Sequence, residues 1–254
     1  SRIESQGTVA GTVLLSFDVS EQVESERSRR EFTANVSHEL KTPLQSIIGS
    51  AELMENGLVK PEDMPRFVGH IRQEAARLVT LIEDIIRLSQ LDEGGDMPQE
   101  PLSLLELAEE ASQALSAAAE AKQVQLTVDG TPGRMEGVHR LVYEIVYNLC
   151  DNAIKYNVQG GRVELIVADT AREASLTVKD TGIGIAPEPQ SRVFERFYRV
   201  DKSHSKQSGG TGLGLSIVKH AVLYHHGTIH LESTPGVGTT ITVASPKAAG
   251  GQGL

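Results

Sequence analysis

From Phe32 onward, apolar residues return at steps of three or four: Phe32, Val36, Leu40, Leu44, Ile47, Ala51, Met54 and Leu58. That period predicts an amphipathic helix with one stripe to bury. Asn56-Gly57 supplies a left-handed stop, and Pro61 fits the first turn of a following helix. A second stripe then runs through Phe67, Ile71, Ala75, Leu78, Ile82, Ile85, Leu88 and Leu91. Two long antiparallel helices joined by a short turn result. Burying a Leu or Ile side chain is worth about 1.5–3 kcal/mol, yet a lone hairpin covers each stripe on one side only. A homodimer that pairs two hairpins into a four-helix bundle buries the remainder.

Outside the hairpin the pattern changes. GTVAGTVLLSFDVSEQ is rich in β-branched residues around Val13–Phe17 and reads as one strand ending at Asp18-Val19-Ser20, before a charged helix start. Residues 1–20 are therefore assigned to the end of an upstream module and the start of a linker helix, and 21–94 to the hairpin. Within the turn-rich EGGDMPQEP, residues 95–101 are assigned to a linker. Beyond it, helices are predicted over Ser103–Lys122, Val138–Tyr156 and Leu215–His225. Strands are predicted over Val124–Val128, Arg162–Ala168, Ala174–Lys179, Thr228–Glu232 and Thr239–Ala244. Helices and hairpins in mixed order argue an α+β fold: the helical hairpin, then an α/β sandwich with helices on one face over 102–247. The small, polar residues 248–254 read as a disordered tail.

Composition narrows the partners. The 254 residues carry 24 Lys and Arg against 34 Asp and Glu, a net charge of −10. An acidic chain without a basic run repels phosphodiester backbones, so nucleic acid is not expected. The single cysteine, Cys150, excludes an intrachain disulfide and a cysteine-based zinc site. No apolar run approaches the roughly 18 residues of a membrane span, and no secretory signal pattern opens the chain. The expectation is a cytoplasmic chain without membrane contact.

Some residues stand out against this background. His38, in SHELKTPL, lies two residues from both Val36 and Leu40, about 200° round the helix from each, and so faces outward. Glu39 is its neighbour, Thr42 lies one turn along the same face, and Pro43 lacks the amide N–H that would hydrogen-bond to the Glu39 carbonyl. In YNLCDNAIKYN, offsets of four and seven bring Asn148, Asn152 and Lys155 within about 60° of one another. Two amide oxygens and an ammonium in one row suit a hydrated Mg²⁺ and its phosphates, although a plain solvated face fits them too. Asp180-Thr181-Gly182-Ile183-Gly184 sets a carboxylate at a strand end before glycines that admit a flat group; read alone, an Asx turn explains it as well. Gly209-Gly210-Thr211-Gly212-Leu213-Gly214 frees backbone amides near a helix start, where phosphate is favoured. Between these, VFERFYRVDKSHSKQS has the look of a lid, with Phe194 and Phe197 as anchors and Arg196 or Arg199 able to reach a phosphate.

Taken together and in this order, these segments resemble the sensor histidine kinase family. SHELKTPL is similar to its phosphoacceptor box and NLCDNAIKY to its asparagine box. DTGIGI and GGTGLGLSI are similar to its two glycine boxes, and VFERFYRVD to its phenylalanine box. The resemblance covers Phe32 to Ser245; the weak alternation upstream resembles the closing strand of a PAS domain. It implies a dimerisation and phosphotransfer hairpin followed by a Bergerat-type ATP-binding domain. His38 then resembles the phosphorylated nucleophile, Glu39 the general base, and Thr42 the residue that orients water for dephosphorylating a partner. Asn148 and Asn152 resemble the Mg²⁺ ligands, Lys155 a phosphate contact and Tyr156 an adenine contact. Asp180 is matched to the acceptor of the adenine amino group, with Gly182 and Gly184 letting the base dock. Gly210, Thr211, Gly212, Leu213 and Gly214 correspond to the triphosphate cradle, joined by Arg199. The implied cofactors are ATP and Mg²⁺, and the implied partners are a second copy of the chain and a response-regulator receiver domain. A membrane-anchored parent protein is implied by the same resemblance. MEGVHRL, before the asparagine box, lacks the Gly-Asp often found in the family. An ATPase of the gyrase and chaperone type, or a silent dimeric scaffold, are the competing readings; neither explains the exposed His-Glu pair together with complete nucleotide motifs.

Overall fold

The computed structural model describes residues 2–5, 8–12, 20–92, 95, 97–200 and 210–247. Its contacts divide the chain into two compact units, residues 1–41 and 42–254.

In the first unit, β1 (Arg2–Ser5) and β2 (Thr8–Thr12) pair antiparallel. This hairpin lies just before the expected strand and had not been anticipated; it pairs Thr8 with Ser5 and Val9 with Glu4. The strand expected over Val13–Phe17 lies outside the described residues, as do positions 248–254. Helix α1 (Ser20–Glu55) begins in this unit and runs through Pro43 without a break.

The second unit holds the remainder. A 3-10 turn at Pro61–Asp63, with proline in its first turn as expected, leads into α2 (Met64–Asp92). Leu81, Leu88 and Leu91 of α2 are buried, whereas Val79, Ile82 and Ile86 stay about half exposed. The apolar residues of α2 therefore fall on two faces instead of one stripe, and Ile82, expected in the stripe, belongs to the open face.

The sandwich opens with β3 (Glu100–Ser103), which pairs antiparallel with β5 (Arg134–Gly137). Glu100 and Pro101 thus belong to a strand and not to the expected linker. Pro101 is tolerated because the pair has only two strands and the residue sits at an edge. Ser103 caps α3 (Leu104–Ala121), its hydroxyl accepting from Glu106 N–H at 3.3 Å, and SLLE is a capping-box sequence. Then follow β4 (Gln125–Gly130), α4 (His139–Lys155), β6 (Arg162–Asp169), β7 (Glu173–Asp180), the short α5 (Pro187–Gln190), α6 (Gly214–Tyr224), β8 (Thr228–Thr234) and β9 (Gly238–Pro246).

The main sheet runs β4-β6-β7-β9-β8, with β4 and β6 parallel and every other neighbour antiparallel. Alternation explains its two faces. Val163, Leu165 and Val167 of β6, and Ala174, Leu176 and Val178 of β7, point to one side and are buried. Against them lie α3 and α4, while α6 lies on β8 and β9; Leu107, Ala111 and Leu115 of α3, Val142, Val146 and Leu149 of α4, and Ile217 and Val218 of α6 are buried. This is the helix-on-sheet layering expected of the sandwich. Cys150 lies within it, fully buried, its thiol pushed up to about 12 by desolvation, so it is chemically inert.

Candidate functional site

Helix α4 buries most of its circumference and leaves a narrow polar strip carrying Asn148, Asn152 and Lys155, as their offsets require. Lys122 fixes the end of that helix. Its ammonium donates to the carbonyls of Ile154 (3.1 Å) and Lys155, the place where a helix terminus most favours a cation. Asn148 Nδ2 donates to Glu144 O at 2.8 Å, which leaves its Oδ1 as the outward acceptor. Burial lowers the Lys155 pKa and raises that of Asp151, while each charge opposes the other's shift.

Across from this strip lies the glycine segment. A Cβ on Gly214 would come 2.8 Å from Asn148 Oδ1, and one on Gly210 would come 2.9 Å from Lys155 Nζ. Backbone can approach the asparagine row so closely only because both residues lack side chains. Gly212 adopts φ +75°, and its carbonyl accepts from Phe197 N–H at 2.9 Å, which ties the phenylalanine box to the segment through backbone.

The strip and the segment bound a cavity of about 1030 Å³, lined also by Tyr156, Asp180, Gly184 and Arg199. Asp180 ends β7; its Oδ1 accepts from Gly182 N–H (2.7 Å) and Thr239 N–H (3.2 Å). Burial raises its pKa, and those two amides hold it back. Gly184 has φ +66°, and a Cβ there would collide with the Thr234 carbonyl.

Two nominated residues do not line the cavity. Gly182 instead lets the chain pass the end of α4, where a Cβ would come 2.4 Å from Tyr156 O. Leu213 has its side chain in the core, and its backbone starts α6: its N–H donates to Thr211 Oγ1 and its carbonyl accepts from Ile217 N–H. Of the two arginines considered, Arg199 lines the cavity. Arg196 donates to Asp92 Oδ1 at 2.6 Å and lies 2.9 Å from His220 Nε2.

In the first unit, His38 is largely exposed on α1, with Nδ1 at 3.8 Å from Glu39 Oε1. Thr42, the first residue of the second unit, is exposed on the same helix.

The sequence reading missed the wall that α2 gives the cavity: Thr80, Glu83, Asp84 and Arg87. It also missed Glu144, whose Oε1 lies 3.3 Å from Arg87 Nε and whose buried Oε2 has no hydrogen-bond partner among the described residues. A carboxylate at position 84, in register with Leu81, Leu88 and Leu91, was the available signal.

Comparison with known proteins agrees with this arrangement. Residues 28–94 match the His Kinase A (phospho-acceptor) domain. Residues 137–249 match the histidine kinase-, DNA gyrase B- and HSP90-like ATPase domain. The chain is 39% identical over 232 residues to the sensor-like histidine kinase SenX3 of Mycolicibacterium smegmatis, covering 91% of this chain and 60% of SenX3. It therefore spans less than two thirds of that relative's length. Among solved structures, the mycobacterial sensor histidine kinase MprB is 30% identical at a TM-score of 0.51, covering 59% of this chain and 97% of that one. Histidine kinase ThkA, solved in complex with response regulator protein TrrA, is 24% identical at a TM-score of 0.69, covering 91% of this chain and 68% of that one. A phospho-acceptor domain match followed by an ATPase-domain match is thus carried on one chain. The chain belongs to the sensor histidine kinase family.

Proposed function

We propose that this chain catalyses Mg-ATP-dependent phosphorylation of its own His38 and passes the phosphoryl group to an aspartate of a response-regulator receiver domain. The observation that carries the reading is His38 itself, exposed with the Glu39 carboxylate beside Nδ1, in a chain that also has a cavity lined by Asn148, Asn152, Lys155 and the glycine segment. An ATPase without a protein acceptor has no use for that pair.

The residues present fit the nucleotide. Asp180 accepts two backbone amides through Oδ1, and its Oδ2 serves as acceptor for the adenine amino group. Tyr156 and Gly184 flank the base. The Gly210–Gly214 segment, where Cβ atoms would crowd Lys155 and Asn148, offers backbone to the phosphates, with Lys155 and Arg199 as cations. Asn148 and Asn152 would hold Mg²⁺, two neutral oxygens being enough for an ion that keeps most of its waters. When bound, that ion neutralises charge on the transferred phosphate.

Transfer forms a bond from a neutral ring nitrogen of His38 to the γ-phosphorus while the bond from phosphorus to the bridging oxygen breaks and ADP leaves. The proton on the other ring nitrogen passes to Glu39. Positioning in line does most of the work. Thr42, one turn from His38 on the exposed side of α1, orients the water for the reverse duty, dephosphorylating the receiver. The half-exposed Leu44, Ile48, Val79, Ile82 and Ile86 favour a homodimer in which two hairpins close a four-helix bundle. The acidic charge disfavours nucleic acid, and no helix among the described residues is long and apolar enough to cross a membrane. The reading is tested by whether label from ATP lodges on His38 and then moves to a receiver aspartate.

A further inference from the structure

Helix α2 does more than complete the hairpin, because one of its faces is seated against the sandwich. Leu81, Leu88 and Leu91 are buried, and Asp84 lies among them, 9% exposed. A carboxylate in an apolar seam is costly unless bonded, and its partner here is specific: Thr211 Oγ1 donates to Asp84 Oδ2 at 2.8 Å. Thr211 belongs to the glycine segment assigned to the triphosphate. Flanking ties hold the same face, from Arg87 to Glu144 (3.3 Å), from Arg140 to Gln90 (2.8 Å) and from Arg196 to Asp92 (2.6 Å).

Seated α2 thus gives the nucleotide cavity an acidic wall. Glu83 and Asp84 line it beside Arg87, which also pairs with Glu144 at 3.3 Å. A triphosphate entering this cavity brings several negative charges to the segment that Asp84 already holds. Like charges at low dielectric repel strongly, and the Thr211 hydroxyl has one proton to donate.

We propose that Asp84 makes the seating of α2 and the binding of ATP mutually antagonistic, so that the triphosphate unseats the hairpin and frees the sandwich to move. The inference rests on the nucleotide reading of the cavity. Coupling between two such states is reciprocal: whatever ATP does to the seat, the seat does to ATP affinity. Adenosine carries no charge to the Thr211 segment and leaves the seat alone.

Asp84→Asn tests this cleanly, since the amide oxygen still accepts from Thr211 while the charge is gone. Affinities for a non-hydrolysable ATP analogue and for adenosine are measured by NMR titration of both proteins. In parallel, spin labels at the exposed Ser89→Cys and Gln113→Cys report the separation of α2 from α3, the native Cys150 being buried. The expected result is analogue affinity higher in the variant by roughly 5-fold or more, with adenosine affinity equal. The labels of the otherwise wild-type protein should part with the analogue and not with adenosine. Equal analogue affinity in the two proteins, or labels that do not move, overturns the antagonism and leaves the nucleotide site standing. Weaker analogue binding by the variant also overturns it, since Asp84 would then assist the phosphates, for example through their cation. Failure of both proteins to bind either ligand overturns the nucleotide reading itself.

Discussion

His225 Nε2 accepts the N–H of Val138 at 3.0 Å while its Nδ1 donates to the Ala221 carbonyl at 2.7 Å. The end of α6 is thereby tied to the residue that starts α4, the helix carrying the asparagine row. Only the neutral ring can do both, because protonating Nε2 turns an acceptor into a donor facing a donor.

Burial holds the His225 pKa below its usual value. The native state therefore binds fewer protons there than the unfolded chain does. The contribution of this residue to stability is complete above the unfolded pKa of about 6.5 and is lost as pH falls below it. Urea midpoints measured from pH 8 to pH 5 should fall more in the wild type than in His225→Gln. That variant should itself cost about 1–2 kcal/mol at pH 8. Comparing the two chains isolates His225 from Asp84, Glu144 and Asp180, whose raised pKa values act in the opposite direction.

Asp180→Asn should weaken ATP binding about 10- to 100-fold, the worth of a hydrogen bond to a charged group, with little change in thermal stability. The amide oxygen keeps the bonds from Gly182 and Thr239, whereas its NH₂ faces the adenine amino group, donor against donor. Calorimetric titration checks this; unchanged affinity would remove Asp180 from the adenine site.

Gly214→Ala places a methyl carbon 2.8 Å from Asn148 Oδ1. Alanine is the better helix former at the start of α6, so the fold should hold. ATP affinity should drop by roughly tenfold or more through displacement of Asn148 or the segment, consistent with about 1.4 kcal/mol or more of lost binding. Equal affinity in a titration against the wild type would place the phosphates elsewhere.

Much of this was legible from the chain. The offsets among Asn148, Asn152 and Lys155 put them on one strip of α4 before any neighbour was known; Arg162–Ala168 and Ala174–Lys179 were readable as strands. Gly210, Gly212 and Gly214 were readable as a cradle, although what they press against was not. The misses share a cause: periodicity reports which face of a helix is apolar, and says nothing of which element covers it. The apolar residues of α2 therefore read as a single bundle core, when Leu81, Leu88 and Leu91 cover the sandwich and Ile82 and Ile86 remain open. Asp84 drew no notice for the same reason. The β3–β5 pair was missed because each strand is four residues long and one carries Pro101, so its ladder is set by tertiary contact and not by local preference.

Thr42→Ala should leave autophosphorylation near the wild-type rate while slowing dephosphorylation of a phosphorylated receiver domain. The hydroxyl is assigned to orienting water, a step the forward transfer does not use. Time courses of both reactions check it, and equal loss of both would overturn the assignment.

The phosphorylated residue is the centre of the account. Wild type and His38→Ala should be incubated with Mg²⁺ and γ-labelled ATP, and the labelled protein then exposed to acid and to base. The account predicts label in the wild type alone, lost in acid and stable in base, as a phosphorus–nitrogen bond to imidazole requires. Label of the same stability in His38→Ala, or none in a wild type that binds ATP, would contradict it.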